Sequence, residues 1–273
     1  MIKSLLWCGK LLGNIAYVLM RKRKRIALLN LAVCFPELTL RELKKLCKRN
    51  FQNVGMGVIE ALVSFFVSDN AIQKIPYIWV GKEHYDQAIA TGGGVIALSS
   101  HMTCVEMAGR IFGRFMSLYC VYKPSRNQRI DRMIVKGRMR YAKGLLKHSN
   151  MKAMVSALRQ GKLVWFAPDQ DFGRVRAEFV PFCGVPAATI VATNVLAKMG
   201  NAVVLPMFFH RTPEAYVLTT YPCFENFPTG NDYEDCKRYN DLLTEFVRQY
   251  PEQYLWIHRR FKTVKHGANI YCK

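Results

Sequence analysis

Residues 91–110, TGGGVIALSSHMTCVEMAGR, constrain the fold more than any other stretch of the chain. Gly92, Gly93 and Gly94 make a flexible turn, and residues 95–98 form a short unbroken apolar run of the kind a strand buried on both faces requires. Ser99 and Ser100 end it. Residues 102–115 contain no proline and many helix formers, so a helix is predicted there, with His101 at the junction of strand end and helix start. Open α/β sheets place their ligand sites at such junctions.

That placement gives H-x-x-x-x-E a chemistry. A neutral imidazole takes a proton from a hydroxyl near pH 7, and a carboxylate bonded to its far nitrogen fixes the tautomer and stabilises the imidazolium. Glu106 lies about one helical turn beyond His101 and is expected to reach back to it. The hydroxyl then belongs to the substrate, and no serine or cysteine nucleophile is needed. Taken alone, a histidine five positions before a glutamate is a common chance pattern, so the rest of the chain has to carry the assignment.

Four blocks do so in order: GVIALSSHMTCVEMAGR, VYKPSRN at 121–127, VWFAPDQDFGRVRAEFVPFCGVPAAT at 164–189, and YLWIHRRFKT at 254–263. Together they resemble the bacterial lipid A biosynthesis lauroyl/myristoyl acyltransferases, from about residue 22 to residue 263. The resemblance implies transfer of an acyl chain from acyl carrier protein to a hydroxyl of a lipid A precursor, with His101 and Glu106 as the catalytic pair. It also implies a sheet of the glycerol-phosphate acyltransferase type. The family generally has arginine where this chain has Lys123, a change that keeps the charge and loses the bidentate fork. Members usually carry a membrane-spanning helix ahead of this region, so the expectation here is either an upstream anchor or an interfacial helix in its place.

Composition bounds the alternatives. The 273 residues are 51% apolar and show no linker, repeat or low-complexity tract, so one α/β domain over residues 26–273 with an N-terminal extension over 1–25 is the economical reading. Forty Lys and Arg against nineteen Asp and Glu give a net charge of +21, which calls for a polyanionic partner. Nucleic acid, anionic lipid and an acidic carrier protein all qualify, but no zinc finger, RNP-type block or helix-turn-helix supports the first. Nine cysteines, with no C-x-x-C pair, read as reduced thiols, and neither a cofactor nor a metal is expected.

In residues 1–20, Lys3, Lys10, Asn14 and Arg21 fall on one helical stripe, and the apolar stretches are too short for a span of about 20 residues. An amphipathic helix in the membrane interface is expected, followed by RKRKR at 21–25 as a contact for anionic headgroups. Together with the family resemblance, this implies a place at the cytoplasmic face of the bacterial inner membrane. Thr39 and Glu42 form a capping box that opens a helix to about residue 65.

Further strands are predicted at 116–122, 163–167, 202–209 and 216–221, a short extended piece at 180–183, and helices at 127–146, 151–159, 189–199 and 233–250. The alternation argues for a mixed central sheet flanked by helices. Lys123 and Asn127 follow the second strand, where they are expected to meet an anionic group. Asp169 and Asp171 follow the third and are assigned supporting roles, by ion pairing that positions Arg174 or orders the loop. His258, Arg259, Arg260 and Lys262 place cations after an aromatic run, and the resemblance points Arg259 and Arg260 at lipid A phosphates or the carrier's phosphopantetheine. The nearest competing activity is a glycerol-phosphate-type acyltransferase that uses acyl-coenzyme A.

Overall fold

The computed structural model describes residues 2–272, with the Lys3 side chain outside that description. Three helices lead the chain. α1 (Ile2–Leu19) and α2 (Arg21–Cys34) meet at Met20, and α3 (Leu40–Phe66) opens on the expected capping box, in which Thr39 and Glu42 bond reciprocally. α1 lies antiparallel on α3 at very close range: a Cβ added at Gly9, Gly13 or Gly55 would fall within 2.6 Å of backbone on the facing helix. The contact half-buries Asn14, which accepts a hydrogen bond from Gln52 at 3.0 Å, while Lys10 stays exposed. Asn14 is therefore not part of a water-facing stripe. The outward face carries Trp7, Leu11, Ile15 and Val18, continued on α3 by Val58, Leu62 and Phe66. Among the described residues no helix is long and apolar enough to cross a membrane. The basic run lies inside α2, so the boundary expected after residue 25 falls within a helix.

α4 (Asp69–Gln73), β1 (Tyr77–Val80) and α5 (Lys82–Ala90) lead to β2 (Gly94–Leu98), every residue of which is buried. α6 (Val105–Phe112), β3 (Leu118–Tyr122), α7 (Gln128–Arg138), β4 (Gly144–Lys147), α8 (Met151–Arg159) and β5 (Leu163–Phe166) follow. A hairpin of β6 (Ala177–Phe182) and β7 (Val185–Ile190) then precedes α9 (Ala192–Gly200), β8 (Ala202–Arg211), β9 (Tyr216–Thr220) and α10 (Asp232–Gln249). The seven-stranded sheet runs β1-β9-β8-β2-β5-β3-β4, parallel throughout except where β8 meets β9, which makes it the expected mixed sheet flanked by helices.

Four sequence readings differ from the structure, the first being that the helix expected from residue 102 starts at Val105. The helix expected to run to residue 146 stops at Arg138 and gives way to β4, whose Gly144 lets the Tyr119 ring lie on the backbone. The helix expected from residue 189 starts at Ala192, because 185–190 pairs with β6. β1 was not expected at all; it is only four residues long, and although YIWV is apolar throughout, Tyr77, Ile78 and Val80 are exposed.

The parallel register decides where the site lies. Leu98 sits opposite Phe166, and Ser99 N–H donates to Phe166 O at 2.8 Å. Three residues beyond Leu98 is His101, and three residues beyond Phe166 is Asp169. The two leave adjacent strands at the same level on the carboxyl edge of the sheet.

Candidate active site

Asp169 holds His101 by two bonds. Its Oδ1 lies 2.6 Å from His101 Nδ1, and its Oδ2 accepts the His101 backbone N–H at 2.9 Å. The carboxylate is buried, with its side chain 1% exposed, whereas the imidazole is 31% exposed. Because Nδ1 is committed to Asp169, Nε2 is the nitrogen left to exchange a proton with a substrate. Burial pulls the imidazole pKa down, the adjacent Asp169 charge and hydrogen bond outweigh it, and the net shift is upward. For Asp169, burial pushes upward, His101 pulls downward, and the net shift is downward.

Glu106 does not take the orienting place expected of it. It stands in the first turn of α6, and Arg138 grips it through Nε at 3.1 and 3.2 Å and through Nη2, while Tyr141 Oη donates to it at 3.1 Å. Starting the helix at Val105 instead of 102 turns this side chain toward the end of α7. Its remaining effect on His101 is a minor long-range charge contribution. Glu106, Arg138 and Tyr141 line a cavity between α6 and the sheet whose other walls include Gly109, Leu118, Cys120, Trp165 and Phe209. The Trp165 ring stands edge-on to the His101 ring, with centroids 6.3 Å apart. Cys104, whose thiol burial pushes up to about 12, is no nucleophile.

The segment after α10 clamps the dyad from behind. Tyr254 forms a bridge with Met102, and its hydroxyl donates to Asp169 O at 3.3 Å. Asn50 of α3 donates to Tyr254 O at 2.6 Å, and Asn30 of α2 donates to Trp256 O and His258 O at 2.7 Å each. His258 Nε2 accepts the Asp171 N–H at 3.1 Å, and burial pulls this imidazole down to about 4. The N-terminal helices thus hold the segment that holds Asp169. Asn30 and Asn50, amides on the buried faces of α2 and α3, were the signal available in sequence; Arg138 offered none.

The other expected binding residues divide sharply. Lys123 is exposed at the carboxyl end of β3, on the same sheet edge as His101. Asn127 caps α7, accepting from Arg129 N and Ile130 N. Asp171 accepts from Gly173 N, Thr263 N and Thr263 Oγ1 at 2.6–2.9 Å, so of the two expected roles it orders the loop, tying it to the C-terminal segment, and does not position Arg174. Arg174 itself donates to Val264 O at 2.7 Å. Arg260 is buried and spends its guanidinium on Ala188 O and Thr189 Oγ1, over the Phe182 ring. It is not open to a phosphate. Arg259 is exposed beside the Tyr271 ring. Among the described residues no cluster of three or more His, Cys, Asp or Glu has the arrangement to hold a metal ion.

Residues 2–263 match the family described as bacterial lipid A biosynthesis acyltransferase. The chain belongs to that family. This acyltransferase is 36% identical over 267 residues to the lipid A biosynthesis lauroyltransferase of Escherichia coli (strain K12), covering 96% of this chain and 86% of the relative. It is 34% identical over 265 residues to the lipid A biosynthesis palmitoleoyltransferase of the same organism, covering 95% and 85%. Among solved structures, the 1-acyl-sn-glycerophosphate acyltransferase PlsC of Thermotoga maritima aligns with 93% of the chain at 13% identity and a TM-score of 0.44.

Proposed function

We propose that the chain moves a fatty acyl group from an acyl carrier protein thioester to a hydroxyl of a lipid A precursor, at the cytoplasmic face of the bacterial inner membrane. The observation that carries this reading is the His101–Asp169 dyad beside an apolar cavity on the carboxyl edge of the sheet. His101 Nε2 takes the acceptor's hydroxyl proton as the oxygen attacks the thioester carbonyl; Asp169 keeps the other nitrogen protonated and favours the imidazolium that forms. The tetrahedral intermediate then expels the thiolate, which takes that proton from His101. Glu106 enters through Arg138, fixing the guanidinium on the cavity wall beside the dyad.

An exposed apolar face on α1 and α3, next to Arg21, Lys22 and Arg25, supports residence on an anionic membrane surface. The +21 charge supports an acidic carrier as donor. Lys123 and Arg259, both exposed, are the residues proposed to meet anionic groups of the substrates.

Labelled acyl carrier protein thioester and lipid A precursor, incubated with the protein on anionic vesicles, are expected to yield acylated precursor at a rate that falls with added salt. Equal rates with acyl-coenzyme A and a glycerol phosphate acceptor would overturn the donor and acceptor assignments.

A further inference from the structure

Trp165 is the one wall of the α6 cavity whose choice packing does not explain. It lies in β5 opposite Ala97 of β2 and Cys120 of β3, and the residue is 8% exposed. Its indole Nε1 is buried and has no hydrogen-bond partner. A phenylalanine would fill apolar space here without stranding a donor, since an unpaired buried N–H destabilises the fold. The Ser99 and Ser100 hydroxyls are also buried without partners, but neither residue lines the cavity. Trp165 does, within one ring's reach of His101.

Resting on the acyl-transfer reading above, we propose that the Trp165 Nε1–H donates a hydrogen bond to the thioester carbonyl oxygen and strengthens that bond as the oxygen becomes an oxyanion. The reacting carbon then lies between two groups. The acceptor oxygen attacks from the His101 side and gives its proton to Nε2; the carbonyl electrons move onto the oxygen facing the indole. When they return, the C–S bond breaks and the thiolate leaves with the proton from His101. A buried donor already placed where charge develops contributes more than it would in solution. Stability lost to the orphaned N–H is recovered only when the substrate is present.

The test replaces the N–H and keeps the shape: Trp165→Phe, and the full-length protein with benzothienylalanine incorporated at position 165, in which sulfur stands for the indole nitrogen. Both are assayed with acyl carrier protein thioester and lipid A precursor beside the unaltered protein and His101→Ala, with thermal midpoints measured in parallel. The expected result is turnover reduced by about 10²-fold per folded molecule, with a midpoint unchanged or raised. Turnover within about fivefold of the unaltered protein in the benzothienylalanine form would overturn the proposal. So would a lowered midpoint with turnover per folded molecule intact, which would assign Trp165 to packing. No transfer by the unaltered protein would overturn the acyl-transfer reading itself, whereas robust transfer that His101→Ala abolishes and both Trp165 replacements retain would defeat this inference alone.

Discussion

Asp169 and Glu106 both belong to the neighbourhood of the β2 end, yet they answer to different partners. Asp169 is buried against His101, and its two oxygens fix both the ring and the backbone of that residue. Glu106 is partly exposed, at 18%, and is saturated by Arg138 and Tyr141. One acid sets the protonation of the base, and the other neutralises a guanidinium that burial would otherwise leave unpaired. Distance along the chain runs opposite to the pairing: the acid five residues away is committed elsewhere, and the acid 68 residues away is the partner.

The largest effect that bears on this contrast is expected at the base itself. His101→Ala should lower acyl transfer per folded molecule by about 10²–10⁴-fold, measured by initial rates on vesicles. Asp169→Asn should cost nearly as much, and the double variant should be little worse than His101→Ala, because groups that act as a unit are non-additive. Additive losses would separate the two residues.

Glu106→Gln should act first on stability. It leaves Arg138 without its anion, at an expected cost of about 3 kcal/mol in denaturant unfolding, and Arg138→Met in the same chain should recover most of it. A smaller contrast concerns the two neighbouring arginines. Arg260→Met should destabilise by about 2 kcal/mol through lost buried hydrogen bonds, whereas Arg259→Gln should leave unfolding unchanged and raise only the apparent KM for an anionic substrate.

A good part of the architecture was legible because it rests on local patterns. The all-apolar β2, the Thr39 and Glu42 box and the helix at 151–159 all follow from spacing and propensity. β4 was lost because four residues at a sheet edge carry too little signal to stop a helix reading. Within the site, His101 was legible from its place after a strand, as was Asp169, but not their pairing. That pairing depends on which strands are neighbours, a property of β2 and β5 together that no window of sequence contains. Arg260 misled for the complementary reason: a guanidinium among aromatics reads as a surface cation until the β6–β7 hairpin is folded over it.

The raised pKa of His101 links the dyad to pH with a definite sign. Its contribution to stability is fully present below the unfolded imidazole pKa of about 6.5 and is lost as pH rises through the higher folded value. Asp169, whose pKa is lowered, contributes above about pH 4 and loses its contribution as pH falls through its folded value. Activity needs the neutral base, so it should rise over the interval in which the pair's stabilising effect fades. The midpoint difference between the unaltered protein and Asp169→Asn should therefore be greatest between about pH 4 and 6.5 and shrink above it.

The most direct test of the account is the pH dependence of turnover in Asp169→Asn and Glu106→Gln, measured side by side per folded molecule. Without the Asp169 carboxylate, burial and the Arg138 charge dominate at His101, so the acid limb of the profile should move to lower pH beneath a reduced plateau. Glu106→Gln should leave the limb nearly in place. A limb that stays fixed in Asp169→Asn and moves in Glu106→Gln would contradict the pairing on which the mechanism rests.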